Sequence, residues 1–327
     1  MKAGFSYTAV IRTLGTAGDK YQRLLDSLKA QIVAPHSILV YIAEGYSLPK
    51  ESIGTERYIY VKKGMVAQRA LPYDEVETEW MLFLDDDVYL PPYAVERLYE
   101  SLQCKKADVI APELFENAHR GWLTNIRMRF IGKSIPHKDD GQWAYKIRRN
   151  GGYSYNEAPS QALYFSQSNA GPCFFCQKET FRSIHFEEEL WLDEVAYALP
   201  EDQVMYHKMY LHGCKILTWY NSGIIHLDAG ASRCVNAQKQ EKLLYSEIRN
   251  RVIYWHRFIY RCHCKRWDRC LDVLSISWMI ALRWMLLAVK GKFGQAKTWT
   301  QGVRDACHYI GSSKYQQLPP VIKNNYQ

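Results

Sequence analysis

The chain has 327 residues, which is enough to bury the core of one large domain or two smaller ones. Apolar residues make up 47% of the sequence, and this content argues against an intrinsically disordered chain. The 42 basic and 34 acidic residues leave a formal net charge of +8. This excess is mild and no recognised nucleic-acid-binding motif accompanies it, so we expect no nucleic-acid partner.

Strands and helices alternate over the first third of the chain. Apolar runs of strand length occur at residues 6–13, 36–45, 57–63, 79–87 and 107–114. Segments with a helical apolar spacing or a proline in the first turn separate them, at residues 18–31, 65–77 and 91–103. This alternation predicts an α/β fold in which helices flank a mixed, mainly parallel sheet.

The middle of the chain is less regular. Residues 115–168 are polar, glycine-rich and aromatic without periodicity, which predicts a long surface segment or flap. Residues 168–184 follow as a strand that leads into a helix. Residues 199–213 predict a helix with two acids in its first turn, and residues 214–228 predict a pair of strands.

The C-terminal region mixes basic and aromatic residues. Residues 271–289 form an apolar run in which only Asp272 and Arg283 are charged. Three interpretations stay open: a helix lying on an anionic membrane surface, helices packed in a core or oligomer interface, and a membrane span. A span would place Arg283 near the bilayer centre at a cost of about 2.5–3.5 kcal/mol. The change in composition predicts two domains, residues 1–240 and 241–327.

Cysteine usage and the N-terminus bear on location. The nine cysteines show no repeating framework, which is typical of reduced thiols in a cytoplasmic protein. Cys262, His263, Cys264 and Cys270 are a weak metal-site pattern, since their spacing matches no common zinc motif. The N-terminus lacks the apolar region of a signal peptide, so we expect a cytoplasmic protein, with peripheral attachment to the inner face of the cell membrane as an option.

Three consecutive aspartates end the strand "EWMLFLDDD". Adjacent carboxylates repel one another unless a cation neutralises them. Because side chains alternate along a strand, Asp85 and Asp87 point the same way and Asp86 points elsewhere. Carboxylate oxygens suit Mg²⁺ or Mn²⁺, which also bind substrate phosphates. Ligands of parallel sheets bind beyond the carboxyl ends of the strands, so this pattern predicts a metal and diphosphate site there, near Glu44.

Several segments resemble inverting family-2 glycosyltransferases with the GT-A (Rossmann-like) fold. The DDD strand and the helix after it resemble the DxD segment of that family. The other matching segments, in order over about residues 6–255, are "AVIRT", "LLDSLKAQ", "GMVAQRALPYDEVETEW", "SNAGPCFFCQKETF" and "PEDQVM". The pattern departs from the family at Arg12, where a proline often stands, and at Ala70, which replaces an asparagine. "SEIRNRVIYWHRF" also resembles a segment of rhamnosyltransferase-like members.

The resemblance implies a GT-A domain with a C-terminal helical extension and a metal-dependent, inverting sugar transfer. The donor would be a UDP-, dTDP- or GDP-sugar, and the acceptor a hydroxyl of a glycan or lipid-linked substrate, as in cell-surface polysaccharide synthesis. Asp202 would be the general base and Glu201 its neighbour at the acceptor. The expected ligands of Mn²⁺ or Mg²⁺ are Asp85, Asp87 and His226, and the expected nucleotide-sugar contacts are Thr13, Glu44, Arg69, Asp85 and Asp86.

Two other classes of protein share part of this pattern. A nucleotidyltransferase also holds Mg²⁺ and a nucleotide at a strand end, but it would normally carry a glycine-rich loop with a basic residue, and "IRTLGTAGDKYQ" matches this only thinly. The second alternative is a non-catalytic sugar- or membrane-binding protein with a transferase-like fold. The three aspartates 85–87 and the Glu201–Asp202 pair argue against it. The sequence leaves the donor sugar, the acceptor and the oligomeric state open.

Overall fold

The computed structural model describes residues 4–114, 134–228 and 236–321, together with residues 126 and 128. The chain forms two compact units, each assembled from separate stretches of sequence. Unit 1 contains Met1–Glu116, Gln161–Leu190 and Cys214–Arg233, and unit 2 contains Asn117–Ser160, Trp191–Gly213 and Cys234–Gln327. The domain boundary at residue 240 stays a prediction; in the structure, Asn117–Ser160 and Trp191–Gly213 group with Cys234–Gln327. The change in composition marks the C-terminal helices, but it carries no information about earlier segments that pack with them.

The sheet of unit 1 is mainly parallel. Its strands, in the order in which they pair, are β3 (Glu56–Val61), β2 (Ser37–Ala43), β1 (Tyr7–Thr13), β4 (Trp80–Asp85), β11 (Cys173–Gln177), β6 (Val109–Pro112), β12 (Ile216–Trp219) and β10 (Leu163–Ser166). The pairs β1–β2, β1–β4, β2–β3 and β12–β6 are parallel. β11 runs antiparallel to β4 and β6, and β10 runs antiparallel to β12.

A two-stranded ribbon and three helices complete the regular structure described in unit 1. β5 (Val88–Tyr89) pairs antiparallel with β13 (Ile225–His226). The helices are α1 (Asp19–Lys29), α2 (Ala94–Lys105) and α3 (Lys178–Arg182), and a 3-10 segment follows at Phe186–Glu194. The ribbon places residues just after β4 beside residues that follow β12.

The core of unit 1 explains why these segments fold as they do. β1 and β4 are buried along nearly their whole length, as continuous apolar runs of parallel strands are. Tyr21, Leu24, Leu25 and Leu28 of α1 are buried at helical spacing and join the same apolar cluster as the strands. Burying each leucine contributes about 1.5–3 kcal/mol, so the amphipathic pattern of α1 decides which of its faces meets the sheet.

The helix expected at residues 65–77 is wrong, because this segment forms turns. Residues 66–69 are buried consecutively, which departs from the one-sided burial of an amphipathic helix. Gln68 donates side-chain hydrogen bonds to the backbone carbonyls of Thr13, at 3.1 Å, and Tyr41, at 3.4 Å. Pro72 then prevents the single turn from continuing.

The irregular segment expected at residues 115–168 is also wrong for the residues that the structure describes; residues 115–125, 127 and 129–133 lie outside them. Unit 2 has three short strands here, β7 (Ser134–His137), β8 (Trp143–Ile147) and β9 (Tyr153–Asn156). β9 pairs parallel with β7 and antiparallel with β8. Strands of four or five residues with mixed polar and aromatic side chains are too short to show a clear period.

The remaining elements of unit 2 are helical. They are α4 (Glu201–Leu211), α5 (Ala237–Trp255), a π-helical turn at His256–Tyr260, α6 (Arg266–Val289), α7 (Phe293–Ile310) and α8 (Ser313–Gln316). Tyr254 of α5 hydrogen bonds to His207 of α4 at 2.6 Å, and both side chains are buried. The predicted helical extension is therefore present, and α4 is packed together with it in one unit.

We expect Gly302→Ala to lower the free energy of unfolding by about 1–3 kcal/mol, as overpacked positions do. A Cβ at Gly302 in α7 would overlap the side chain of Ile248 and lie 3.2 Å from the carbonyl oxygen of Tyr245, both in α5. Gly294→Ala in the same helix is the matched control, because the nearest atom to its Cβ would be 3.7 Å away. Urea unfolding should show Gly294→Ala as neutral or stabilising, and equal effects of both changes would contradict the close approach of α5 and α7.

Candidate active site

Asp85 at the end of β4 is held by two arginines. The register of the parallel pair β1–β4 sets Arg12 opposite Asp85. Both carboxylate oxygens of Asp85 accept hydrogen bonds from the Arg12 guanidinium, Oδ1 from Nε and Oδ2 from Nη2 at 3.0 Å. Arg69 Nη2 lies 3.7 Å from Oδ1. Burial opposes ionisation of Asp85, but the Arg12 charge and hydrogen bonds, together with Arg69, hold the pKa of Asp85 below its usual value.

This ion pair changes the interpretation of Asp85. Side chains along β4 alternate as expected, but the side that carries Asp85 faces two arginines of the protein itself. Its role as a metal ligand stays a prediction, and it would require Asp85 to give up hydrogen bonds to Arg12. Arg12 was visible in the sequence only as a departure from the family pattern.

Asp86 lies beside the end of β1. Its Oδ2 accepts a hydrogen bond from the Thr13 hydroxyl, and the Thr13 oxygen accepts one from the backbone N–H of Gly15 at 2.8 Å. Burial raises the pKa of Asp86 to about 6; the Thr13 hydrogen bond opposes this rise, and the neighbouring Asp85 and Asp87 charges add to it. Thr13 and Asp86, both predicted as nucleotide-sugar contacts, are therefore neighbours at the carboxyl edge of the sheet.

Asp87 and His226 are brought together by the ribbon β5–β13. His226 pairs with Val88 in that ribbon, and the backbone N–H of Leu227 donates to the Asp87 carbonyl at 2.8 Å. His226 Nε2 lies 3.0 Å from Asp87 Oδ2. The hydrogen bond to Asp87 raises the pKa of His226, and this effect outweighs partial burial, which lowers it. Two predicted metal ligands thus lie side by side, although 139 positions separate 87 from 226 in the sequence.

Lys20 is a basic residue near the aspartates that the sequence interpretation did not select. It occupies the second position of α1 and its Nζ lies 2.5 Å from Asp228 Oδ1. The hydrogen bond to Asp228 raises the pKa of Lys20, and the charges of Asp87 and Asp86 contribute in the same direction. The sequence signal for Lys20 is the "TAGDK" segment after the first strand, in which a basic residue stands two positions after a glycine.

The two other predicted nucleotide contacts differ in exposure. Glu44 directly follows β2 at the carboxyl edge and is exposed, with its backbone N–H bonded to the Val61 carbonyl at 2.8 Å. Arg69 is only 2% exposed. Its Nη2 donates to the Gly171 carbonyl at 3.0 Å, and its guanidinium carbon lies 5.9 Å from the centre of the Phe174 ring. Arg69 therefore already serves as the second counter-charge of Asp85.

Asp87 and His226 are the predicted ligands of the implied divalent metal that lie in contact. Among the residues that the structure describes, no three His, Cys, Asp or Glu side chains are grouped to hold a metal ion, the Cys262 cluster included. The Asp87 carboxylate and the His226 imidazole nevertheless lie in contact, and Mn²⁺ accepts both kinds of ligand. Such ions commonly complete their shells with waters and substrate phosphates. The pair therefore fits a metal that binds together with a diphosphate.

The predicted base and its neighbour open α4 in unit 2. Glu201 is 3% exposed and Asp202 is half-buried. The next residue, Gln203, donates its side-chain amide to the Gly151 carbonyl at 2.8 Å, and Arg251 donates to the same oxygen at 2.7 Å. The first turn of α4 is thereby fixed within its unit. Helix N-termini favour negatively charged side chains, which suits a carboxylate that accepts a proton.

The fold of this chain is similar to the GT-A-like fold of solved glycosyltransferases. Residues 1–349 of TarS from S. aureus superpose with a TM-score of 0.50 at 11% identity, covering 94% of this chain and 81% of that one. GalNAc-T7, crystallised with UDP, GalNAc and Mn²⁺, gives a TM-score of 0.45 at 12% identity. The match covers 74% of this chain and 48% of the GalNAc-T7 chain. No family model matches the sequence, and neither does a curated protein. The predicted fold class is confirmed.

Proposed function

We propose that this protein is an inverting glycosyltransferase that moves a sugar from a nucleotide-sugar to a hydroxyl of a glycan or lipid-linked acceptor. The observation that carries the proposal is the Asp87–His226 pair, placed beside Asp86 at the carboxyl edge of a GT-A-like sheet. Acids at that edge of an open α/β sheet lie where such folds bind their ligands.

The donor side of the reaction uses residues of unit 1. Asp87 and His226 would hold Mn²⁺ or Mg²⁺, and the metal would offset the negative charge that develops on the departing diphosphate. Lys20 supplies a positive side chain near the same carboxylates, suited to phosphate oxygens. Thr13, Asp86 and the exposed Glu44 are proposed to contact the nucleotide-sugar.

Arg12 and Arg69 have a supporting role in this scheme. Their positive charges offset the negative charge of Asp85. A bound cation therefore does not have to balance the charge of all three consecutive carboxylates. Asp85 then acts by holding the end of β4 and setting the direction of the two acids that follow it.

The acceptor side uses Asp202 of unit 2. Its carboxylate is proposed to take the proton from the acceptor hydroxyl as that oxygen attacks the anomeric carbon from the face opposite the nucleotide. A single displacement of this kind inverts the configuration at that carbon. Glu201, which is buried at the first position of α4, is proposed to keep the first turn in place or to contact the acceptor.

We expect Asp87→Asn to abolish the Mn²⁺ dependence of nucleotide binding. Removing the carboxylate charge should weaken the metal site and the bound diphosphate with it, and the affinity for UDP in Mn²⁺ should fall at least tenfold. Titration calorimetry with UDP, dTDP and GDP, each with and without Mn²⁺, measures the effect. It also shows which nucleobase of the donor the protein prefers. Asp74→Asn is a matched control, because Asp74 is an exposed aspartate of the same unit.

The outcomes separate the proposed function from its alternatives. Wild-type protein that binds no nucleotide in Mn²⁺ would contradict the donor site. Nucleotide binding without transfer or hydrolysis of any nucleotide-sugar would favour a non-catalytic binder. Release of pyrophosphate from a nucleoside triphosphate and a sugar phosphate would indicate a nucleotidyltransferase.

A further inference from the structure

Helix α6 (Arg266–Val289) is long and apolar enough to cross a membrane, and among the described residues it is the one helix that meets this test. Only 22% of its most apolar stretch is buried. Length and composition do not distinguish a spanning helix from one that lies on a surface. The burial and the charges of the two faces of α6 distinguish these arrangements.

One face of α6 is fixed to unit 2 by buried charge. Asp272 is fully buried; its Oδ1 lies 3.0 Å from Arg149 Nη1 and its Oδ2 lies 2.6 Å from His263 Nδ1. Met279 and Leu287 are buried on the same side of the helix. Arg283 lies four residues from each of them, so it shares this face. A helix held in this way cannot be surrounded by lipid, because breaking such a buried pair is costly.

The opposite face of α6 is apolar and exposed. Large side chains follow it at helical spacing with exposed fractions of 73% for Trp267, 66% for Leu274, 58% for Trp278, 49% for Met285 and 80% for Val289. Intervals of seven, four, seven and four residues keep them on one side of the helix over its whole length. Soluble proteins rarely leave such a row uncovered, so it indicates an interaction surface.

The charges around this face select the partner. Lys265 and Arg266 precede the row and Lys290 and Lys292 follow it, and all four are exposed. The acids of α6, Asp268 and Asp272, are both paired with Arg149. The row is therefore flanked by basic groups at both ends, while both acidic side chains of the helix form ion pairs with Arg149.

From these features we infer that α6 lies in the plane of an anionic lipid bilayer, with its apolar row in the headgroup and acyl boundary. Tryptophan is favoured at that depth, and each basic residue near the surface adds about fivefold to binding. The rim of a protein–protein interface is polar in general, whereas the groups that flank this row are basic. This inference is independent of sugar transfer, since no residue of the proposed donor or acceptor site takes part.

Vesicle sedimentation with the full chain tests the inference. Wild-type protein should bind vesicles of phosphatidylcholine with phosphatidylglycerol more tightly than phosphatidylcholine alone, and salt should weaken the binding. Leu274→Glu with Met285→Glu should lower the partition coefficient at least tenfold. Lys290→Gln with Lys292→Gln should lower it roughly 30-fold on anionic vesicles only.

The control carries two glutamates on unit 1, Ile32→Glu with Leu48→Glu, at residues that are 60% and 49% exposed. It should bind vesicles like wild type, and circular dichroism should show all variants folded. Equal binding by the Leu274→Glu, Met285→Glu variant, or no binding of wild type to anionic vesicles, would overturn the inference. A wild-type dimer that dissociates in this variant and ignores vesicles would mean that a second copy covers the row.

Discussion

Asp202→Asn is expected to lower kcat for sugar transfer by about 10³-fold and to leave the affinity for the nucleotide-sugar unchanged. The amide keeps the shape of the side chain at the first turn of α4 but cannot accept the proton of the acceptor hydroxyl. Donor binding is proposed to use residues of unit 1, so it should be unchanged. Steady-state kinetics with a cognate acceptor, combined with calorimetry of the donor in Mn²⁺, measures both quantities.

Comparing Asp202→Asn with Asp87→Asn separates an effect on catalysis from an effect on donor binding. Asp87→Asn should lose metal-dependent donor binding, whereas Asp202→Asn should lose turnover and keep binding. A transfer rate near that of wild type in Asp202→Asn would contradict its assignment as the base. Loss of donor affinity in the same variant would indicate that Asp202 acts on the nucleotide-sugar.

Breaking the Arg12–Asp85 pair is expected to have the largest effect on stability. Arg12→Met and Asp85→Asn should each lower the free energy of unfolding by about 3 kcal/mol, because each leaves a largely buried partner without its main counter-charge. The double variant should cost less than the sum of the two, since no uncompensated member of the pair remains. Urea unfolding of the four proteins in a double-mutant cycle measures the coupling.

The pH dependence of stability provides a second measurement of the same pair. The pKa of Asp85 is lowered in the folded protein, so its contribution is present above the unfolded-state pKa and is lost as pH falls toward the folded-state value. Arg12→Met removes the main cause of the lowering, and the acid unfolding midpoint should therefore move to higher pH. Asp74→Asn is again the control, because an exposed ion pair contributes about 1 kcal/mol or less.

These results also decide the role of Asp85. If Asp85→Asn keeps wild-type stability but loses Mn²⁺-dependent nucleotide binding, Asp85 is a metal ligand as the sequence predicted, and its pairing with Arg12 is incidental. If stability falls and metal-dependent binding survives through Asp87 and His226, the ion pair is its main role.

Local sequence patterns were enough to predict the α/β alternation, the three aspartates at a strand end, and the helix that opens with Glu201 and Asp202. These are local properties, because side-chain period, strand length and helix-start signals depend on residues close together in the chain. The same local signals failed at residues 65–77, where consecutive burial and Pro72 override an apparent helix.

The side-chain partners of these residues depend on the three-dimensional fold. The β1–β4 register put Arg12 against Asp85, and the β5–β13 ribbon put His226 against Asp87. The packing of α6 buried Asp272, Met279 and Leu287 and left an apolar row outside. Strand register and helix orientation are set by contacts between distant segments, since a slip of one residue would reverse every side chain of a strand. A single sequence contains no direct record of such contacts.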